Sequence, residues 1–158
     1  ARNIGRLVYI SSVLGFVAMP FRGPYVASKF AIEGLVDTLR LELKQTKIKL
    51  SLIQPGPIES KFRQNALLAF KENVDSSNSD YKKEYITMIE RLNSDKNAQF
   101  TLAPESVLRC VLHALESKVP KNHYRVTFPT KLFGILCRIL PSSWMDNILS
   151  RADKGDKD

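Results

Sequence analysis

Two spacings of apolar residues dominate the first third of the chain, and they predict a strand, a long helix and a second strand. Residues 6–11 are rich in large apolar side chains, which is typical of a short buried strand. Apolar residues then recur at close to helical spacing through residues 24–45, and Pro24 suits a first helical turn because its missing N–H would be unpaired there. Residues 48–53 (IKLSLI) predict the second strand. This order predicts a right-handed crossover between parallel strands.

Loops and one short helix follow these elements. Residues 12–22 form a predicted loop in which Gly15 and Pro20 interrupt any periodicity, and residues 54–60 (QPGPIES) form a Pro/Gly loop after the second strand. In parallel sheets ligands bind at this carboxyl edge. A short helix is predicted over residues 61–70, and residues 71–97 are a polar excursion and a candidate lid.

The last third of the chain is predicted to return to the core. An amphipathic helix covers residues 104–117, and a last strand covers residues 124–128. Residues 131–151 form an amphipathic C-terminal segment that begins with a helix over 131–140. The charged residues 152–158 predict a disordered tail.

The amino-acid composition excludes only a few functional classes. The net charge of +8 favours acidic partners in general, but the basic residues are scattered without an aromatic platform, so no nucleic-acid partner is predicted. Cys110 and Cys137 lie inside apolar helical patterns without C-x-x-C spacing, which predicts buried free thiols and a cytoplasmic compartment. No apolar run reaches the roughly 18 residues of a membrane span. The two histidines lack ligand spacing, so no metal site is predicted.

Ser12, Tyr25 and Lys29 are the candidate catalytic residues. Tyr25 and Lys29 are four residues apart at the start of the predicted helix, so they share one face. A lysine ammonium beside a phenol stabilises the phenolate and lowers the phenol's pKa from about 10 towards neutrality. Such a phenol can exchange a proton with a carbonyl or alcohol oxygen. Ser12 follows the first strand at the same sheet edge, where its hydroxyl can hold the substrate oxygen.

The surrounding sequence is more specific than a Tyr-x-x-x-Lys pair alone. The run YISSVLGFVAMPFRGPYVASKFAIEGL joins a strand-borne Ser-Ser to Tyr-x-Ala-Ser-Lys, and Pro-Gly follows the next strand. This combination resembles the short-chain dehydrogenase/reductase family, and the resemblance extends to Leu149. It implies an α/β fold with a doubly wound, Rossmann-type parallel sheet and an NAD(P)-dependent oxidoreductase. The stretches VASKFAIEGLVDTLRLEL and PGPIESKF and the C-terminal segment resemble the hydroxysteroid and retinol dehydrogenase-like branch, which implies a lipophilic alcohol or carbonyl substrate.

The resemblance also assigns roles to individual residues. It implies that Tyr25 is the catalytic acid/base, that Lys29 assists it and hydrogen-bonds the nicotinamide ribose, and that Ser12, 13 residues before Tyr25, orients the substrate oxygen. The cofactor, NADP or NAD with NADP preferred, is expected to contact Tyr25, Lys29, Pro55, Gly56, Pro57, Ile58 and Ser60. Ser60 stands where the family often has Thr.

Elements that the family carries in its N-terminal half do not occur in the sequence. The resemblance implies a Gly-rich turn that cradles the pyrophosphate, an Asn-Asn-Ala-Gly strand and a catalytic Asn. None of them is found in the 158 residues. We therefore expect residues 1–151 to be the C-terminal portion of a single domain, through truncation or a partial gene model. The chain alone is then expected to be inactive, and the residues that choose between NAD and NADP belong to the absent part.

The C-terminal segment supports an alternative hypothesis from another functional class. Lys131, Gly134 and Arg138 share one face of the predicted helix and apolar residues cover the rest, as in a helix that lies in a membrane interface. A helix packed over the substrate pocket fits the same pattern. The alternative is a truncated, non-catalytic remnant that acts as a binding or membrane-peripheral module. For the enzyme, the resemblance implies a homo-oligomer formed through the helix of residues 24–45.

Overall fold

The computed structural model describes residues 3–94 and 98–155, with side chains described up to Arg151. Its three strands are β1 (Ile4–Ile10), β2 (Lys47–Gln54) and β3 (His123–Arg125), and they form one sheet in the order β1-β2-β3. Both strand pairs are parallel: Ile10 lies opposite Ile53, and Leu52 lies opposite His123. The parallel sheet confirms the predicted α/β class.

Helices connect the strands within the described residues. A short 3-10 helix (Val13–Gly15) follows β1, and the described residues form six α-helices: α1 (Gly23–Glu42), α2 (Phe62–Asn73), α3 (Lys82–Asn93), α4 (Glu105–Glu116), α5 (Phe128–Ile139) and α6 (Ser142–Gly155). Helix α1 begins with Pro24 in its first turn, as predicted, but ends three residues before the predicted position. Leu43 begins a turn there, in which its carbonyl accepts a hydrogen bond from the Thr46 amide.

The core lies on both faces of the sheet. Leu50 and Leu52 of β2 pack with Val36 of α1, whereas Ile53 packs with Ala114 of α4. Because successive side chains of a strand point to opposite faces, α1 and α4 cover opposite sides of the sheet. Val36, Leu52 and Ile53 have 0% exposure, and each such burial contributes about 1.5–3 kcal/mol. This arrangement confirms the doubly wound fold.

A separate apolar cluster joins the C-terminal helices to the loop that follows β1. Val17 packs with Met145 and Leu149 of α6, and Phe133 and Leu136 of α5 border the same cluster. Helix α6 was not predicted as an element of its own. Of the predicted disordered tail, residues 152–155 continue α6, and residues 156–158 lie outside the described residues.

The chain forms two compact units. The first consists of residues 1–58 and 99–158, and the second of residues 59–98. In the second unit α2 and α3 pack together, with the rings of Phe70 and Tyr85 5.5 Å apart. The predicted short helix therefore extends to Asn73, and the polar excursion of residues 71–97 contains a helix that the pattern did not predict. Residues 95–97 lie outside the described part of the chain.

Two burial predictions were wrong. Strand β1 is not buried, since Ile4, Leu7 and Ile10 are exposed. Among the described strands β1 has a neighbour on one edge only, which leaves its other edge uncovered. The cysteines are free, as predicted, but Cys110 is half-buried and Cys137 is exposed. Within the described residues, no helix is both long and apolar enough to cross a membrane.

Candidate active site

The carboxyl ends of β1 and β2 are joined by backbone hydrogen bonds, and this edge carries the candidate site. The Ser11 amide donates to Ile53 O at 2.8 Å, and the Val13 amide donates to Pro55 O at 2.8 Å. Ser12 lies between these two donors. The loop after β1 and the Pro/Gly loop after β2 are therefore held side by side, with Ser12 at their junction.

The Ser12 side chain caps the short 3-10 helix. Its backbone is extended, with φ −162° and ψ 166°, and its Oγ accepts a hydrogen bond from the Leu14 amide at 3.1 Å. A serine hydroxyl has one O–H donor in addition to its acceptor lone pairs. The cap consequently fixes the rotamer of Ser12 and still leaves the hydroxyl hydrogen able to point at another oxygen.

Lys29 ties the first turns of α1 to the end of β1. Its Nζ donates to Ile10 O at 3.1 Å and lies 5.6 Å from the centre of the Tyr25 ring. Ile10 is two residues before Ser12, so this bond brings the Tyr25–Lys29 face of α1 to the sheet edge that holds Ser12. An ammonium has three N–H donors, and the bond to Ile10 uses one. Both Tyr25 and Lys29 are half-buried.

A backbone turn with an unusual dihedral angle leads into α1. Phe21 has φ 56°, in the left-handed region that side chains other than glycine rarely adopt. Two residues later Gly23 begins the helix, and Tyr25 follows within its first turn. Strain of this kind persists where the surroundings hold the chain in place. The turn therefore sets the direction in which α1 enters the site.

The Pro/Gly loop is fixed by the segments packed against it. Pro57 O accepts a hydrogen bond from the Leu102 amide at 3.1 Å, and Ile58 forms a bridge with Leu102. Gly56 lies directly against the side chains of Thr127 and Thr130. Ser60 belongs to the second unit, where its Oγ accepts a hydrogen bond from the Phe62 amide at 3.3 Å. The structure thus holds four of the five predicted loop residues in the first unit, with Ser12, Tyr25 and Lys29.

A comparison with known families matches the part of the chain that holds this site. A family model described as short chain dehydrogenase matches residues 1–69, which include Ser12, Tyr25, Lys29 and the whole Pro/Gly loop. The chain belongs to the short-chain dehydrogenase family. Its membership confirms the resemblance that the sequence motifs indicated.

Three relatives illustrate the range of the family that the chain resembles. "Uncharacterized oxidoreductase YbbO" of Escherichia coli strain K12 is 43% identical over 145 residues, with 92% of this chain and 48% of the relative covered. Rat 17-beta-hydroxysteroid dehydrogenase type 6 is 30% identical (92% and 48% covered), and mouse retinol dehydrogenase 16 is 32% identical (92% and 47%). The chain spans about half the length of these short-chain dehydrogenase relatives. The predicted likeness to hydroxysteroid and retinol dehydrogenases is confirmed.

Sequence reasoning missed a buried polar pair beside the site of this short-chain dehydrogenase. Gln54 Nε2 donates to Glu33 Oε2 at 2.8 Å, and Gln54 is 2% exposed. Glu33 is one helical turn beyond Lys29, and Gln54 directly precedes Pro55. A Cβ at Gly15 would collide with both Ser11 Oγ and the Glu33 side chain. Lys29 and Glu33 are four residues apart, so the sequence could have placed Glu33 on the helix face that carries the site. The pair was missed because Gln54 was assigned to the loop rather than to the buried strand.

His123 lies at the outer end of this polar cluster. Its Nε2 is 3.6 Å from Asp37 Oδ1 and 3.9 Å from Glu33 Oε2. Burial lowers the pKa of His123 below its ordinary value, while Asp37 and Glu33 oppose that shift. The neutral imidazole is therefore the favoured form near neutral pH. In the described part of the chain, no group of three or more His, Cys, Asp or Glu side chains is arranged to hold a metal.

Proposed function

We propose that the protein that contains this chain is an NAD(P)-dependent oxidoreductase that interconverts an alcohol and a carbonyl group on a lipophilic substrate. One observation supports this most strongly: Lys29 Nζ donates to Ile10 O and lies 5.6 Å from the centre of the Tyr25 ring, at the sheet edge that also holds Ser12. Membership of the short-chain dehydrogenase family agrees with it. The likeness to hydroxysteroid and retinol dehydrogenases supports a lipophilic substrate.

The three side chains divide the chemistry between them. Tyr25 gives a proton to the carbonyl oxygen in reduction and takes one from the alcohol in oxidation. Lys29, held by Ile10 O, keeps a positive charge beside the Tyr25 ring. Ser12, fixed by its bond from the Leu14 amide, donates its hydroxyl hydrogen to the same substrate oxygen. Bound nicotinamide supplies or accepts the hydride.

The donors around the site fit the nicotinamide end of a cofactor. Lys29 has two N–H donors beyond the one that Ile10 O accepts, and these suit ribose hydroxyls. Pro55, Gly56, Pro57 and Ile58 offer an apolar, backbone-rich wall on the other loop. We propose NADP or NAD as the cofactor, and the described residues hold no feature that selects one of them.

An absorbance assay tests the proposal. The full-length protein is mixed with NADPH or NADH and with aldehydes and ketones of increasing apolar length, and the loss of reduced nicotinamide is followed. We expect turnover only when reduced nicotinamide and a carbonyl compound are both present. The KM for the carbonyl compound should fall as its apolar part grows. The test variant is Ser12→Ala, which removes one hydrogen-bond donor to the substrate oxygen, and its kcat should fall by about 10²–10³-fold. Absence of turnover with every carbonyl and both cofactors would contradict the proposal.

The surface of α1 favours a homo-oligomer as the working form. Phe30, Leu35 and Leu41 are exposed on this helix in the single chain. Phe30 and Leu41 are eleven residues apart, close to three helical turns, so they share one face that suits a helix-to-helix contact with a second copy. Sedimentation of the full-length protein tests this: a dimer or larger assembly is expected, and a Phe30→Glu/Leu41→Glu variant should shift towards the monomer.

A second candidate function is contact with a membrane surface, as in the alternative hypothesis of a non-catalytic interaction module. On α5, Phe128, Leu132, Ile135 and Ile139 are all exposed and recur at intervals of four, three and four residues. They form one apolar stripe, and Trp144 at the start of α6 is exposed as well. An exposed apolar stripe beside basic residues suits an interfacial helix.

Sedimentation with vesicles tests membrane contact separately from catalysis. Binding to vesicles that contain anionic lipid is expected for the full-length protein, and an Ile135→Ser/Ile139→Ser variant should lose it. Leu112→Ser/Leu115→Ser, which removes two exposed leucines of α4, is the matched control and should retain it. Equal binding by all three proteins would count against a role for α5.

A further inference from the structure

A cavity outside the candidate active site is surrounded by basic side chains. It lies between β3 and α5, has a volume of about 390 Å³, and is lined by Lys121, Asn122, His123, Arg125, Lys131 and Arg138. Lys121, His123 and Arg125 are alternate residues of β3 and the segment before it, so their side chains lie on the same side of the strand and line the cavity. Lys131 and Arg138 are seven residues apart on α5, so they share one face of the helix. No acidic or apolar residue is among the lining residues.

A second cavity of about 360 Å³ adjoins the first and extends the basic lining. It shares Lys121, His123, Arg125 and Lys131 with its neighbour and adds Arg109 and Ser106 from α4. A volume of this order is large enough for a small ligand. Cys110, Tyr124 and Val126 also line the second cavity. The two cavities together place five permanent cations around one recess, and this concentration of positive charge suits an anionic ligand.

The four cations of the first cavity lack counter-charges. Among the residues that the structure describes, no carboxylate forms an ion pair with Lys121, Arg125, Lys131 or Arg138. Two carboxylates reach the cavity only through His123, whose Nε2 lies 3.6 Å from Asp37 Oδ1 and 3.9 Å from Glu33 Oε2. Their other partners among the described residues are Arg40 for Asp37 and Gln54 for Glu33. Like charges held close together repel one another, and a bound anion would remove that repulsion.

Arg125 is held in a fixed position at the cavity. Its guanidinium carbon lies 5.8 Å from the centre of the Phe16 ring. Its side chain crosses α5 at Gly134, where a Cβ would collide with the Arg125 Nε, Cζ and Cδ atoms. The buried Nε has no hydrogen-bond partner within the described residues. A guanidinium fixed in this way loses little freedom on binding an anion, so it is preorganised for one.

We propose that this cavity binds a phosphate group carried by a small molecule or a lipid. A guanidinium offers paired N–H donors that match two phosphate oxygens, and the flanking ammonium groups balance the second negative charge. A free pyrophosphate or phosphomonoester has this chemistry, and so does a phosphatidic acid headgroup. The site is separate from Ser12, Tyr25 and Lys29, so its function does not depend on hydride transfer.

Calorimetric titration of the full-length protein with inorganic pyrophosphate tests for the free ligand. The cavity variant is Lys131→Gln/Arg138→Gln, and the matched control is Lys44→Gln/Lys49→Gln, which removes the same charge from exposed positions elsewhere. We expect saturable binding that the cavity variant weakens at least about tenfold, because each charge-assisted bond contributes that much, while the control changes less than about twofold. Gly134→Ala should also weaken binding, since it displaces Arg125 without changing the net charge.

Vesicle binding distinguishes the two sources of the phosphate. Vesicles of phosphatidylcholine with phosphatidic acid are compared with phosphatidylcholine alone, using the same variants. Binding of pyrophosphate alone supports a free ligand, and binding of phosphatidic acid vesicles alone supports a headgroup. Equal weakening by the cavity and control variants would show only general attraction to a basic protein, and would overturn the proposal. Absence of binding in both assays would overturn it as well.

Discussion

Replacement of Gly56 by alanine tests how the Pro/Gly loop is held. A Cβ at Gly56 would overlap Thr127 Oγ1 and would lie 2.6 Å from Thr130 Oγ1. Thr127 and Thr130 are 0% exposed, and their hydroxyls are hydrogen-bonded to each other at 2.9 Å. Gly56 does not have a positive φ. The effect of the substitution is therefore a steric one, and the loop or the two threonines must move.

The size of the effect follows from the buried surroundings. Extra methyl groups in a packed interior cost about 1–3 kcal/mol. Loss of the Thr127–Thr130 hydrogen bond would add about 0.5–1.5 kcal/mol. If the loop moves instead, Pro55 and Pro57 shift with it. In that case the free energy of unfolding falls by less, and we expect the KM for the nicotinamide cofactor to rise.

Urea denaturation and cofactor titration together measure both outcomes. We expect Gly56→Ala to lower the free energy of unfolding by about 1–3 kcal/mol, or to raise the KM for the cofactor with a smaller loss. Gly34→Ala on α1 is the control, because it is exposed with open space around its Cβ position. It should stabilise the helix by about 0.5–1 kcal/mol. A Gly56→Ala protein with unchanged stability and unchanged cofactor KM would refute the steric argument.

Three further predictions follow from other contacts. Glu33→Ala leaves Gln54 Nε2 buried without its acceptor and should cost about 1–3 kcal/mol in urea denaturation, whereas Glu33→Gln retains an acceptor oxygen and should cost less than half as much. The lowered pKa of His123 means that the folded protein binds its proton less readily than the unfolded chain, so stability should fall as pH drops below about 6.5. His123→Gln should reduce that loss, and identical stability-versus-pH curves would argue against it. Lys29→Met should raise the cofactor KM, because it removes the N–H donors proposed for the ribose hydroxyls, and an unchanged cofactor KM would count against that role.

The sequence was sufficient to predict the strands and the helix that carry the chemistry. β1, α1 and β2 have strong local patterns, and Pro24 marks the first turn of α1. The register between β1 and β2 could not be predicted from these patterns. It depends on long-range pairs such as Ile10 with Ile53, which local periodicity does not encode. That pairing is what places the loop of Ser12 beside Pro55.

Helices α3 and α6 and the pairing of Glu33 with Gln54 could not be predicted, because they depend on contacts that the local sequence pattern does not show. The polar composition of residues 71–97 concealed α3, because none of the residues of that helix is buried and its apolar side chains pack against α2. Helix α6 was absorbed into a single C-terminal segment, although Pro141 separates it from α5 and accepts hydrogen bonds from Trp144 and Met145. The pairing of Glu33 with Gln54 required the fold itself, since it joins a helix to a strand.

The Tyr25→Phe substitution in the full-length protein tests the central claim most directly. It removes one hydroxyl and keeps the ring that Lys29 approaches. Carbonyl-dependent oxidation of NADPH or NADH is compared with the wild type and with Tyr81→Phe, an exposed tyrosine of the second unit. We predict that Tyr25→Phe lowers kcat by about 10²–10⁴-fold with an unchanged unfolding midpoint and nearly unchanged cofactor affinity, and that Tyr81→Phe has wild-type activity. A Tyr25→Phe protein that retains more than about a tenth of the wild-type kcat would contradict the assignment of Tyr25 as the acid/base.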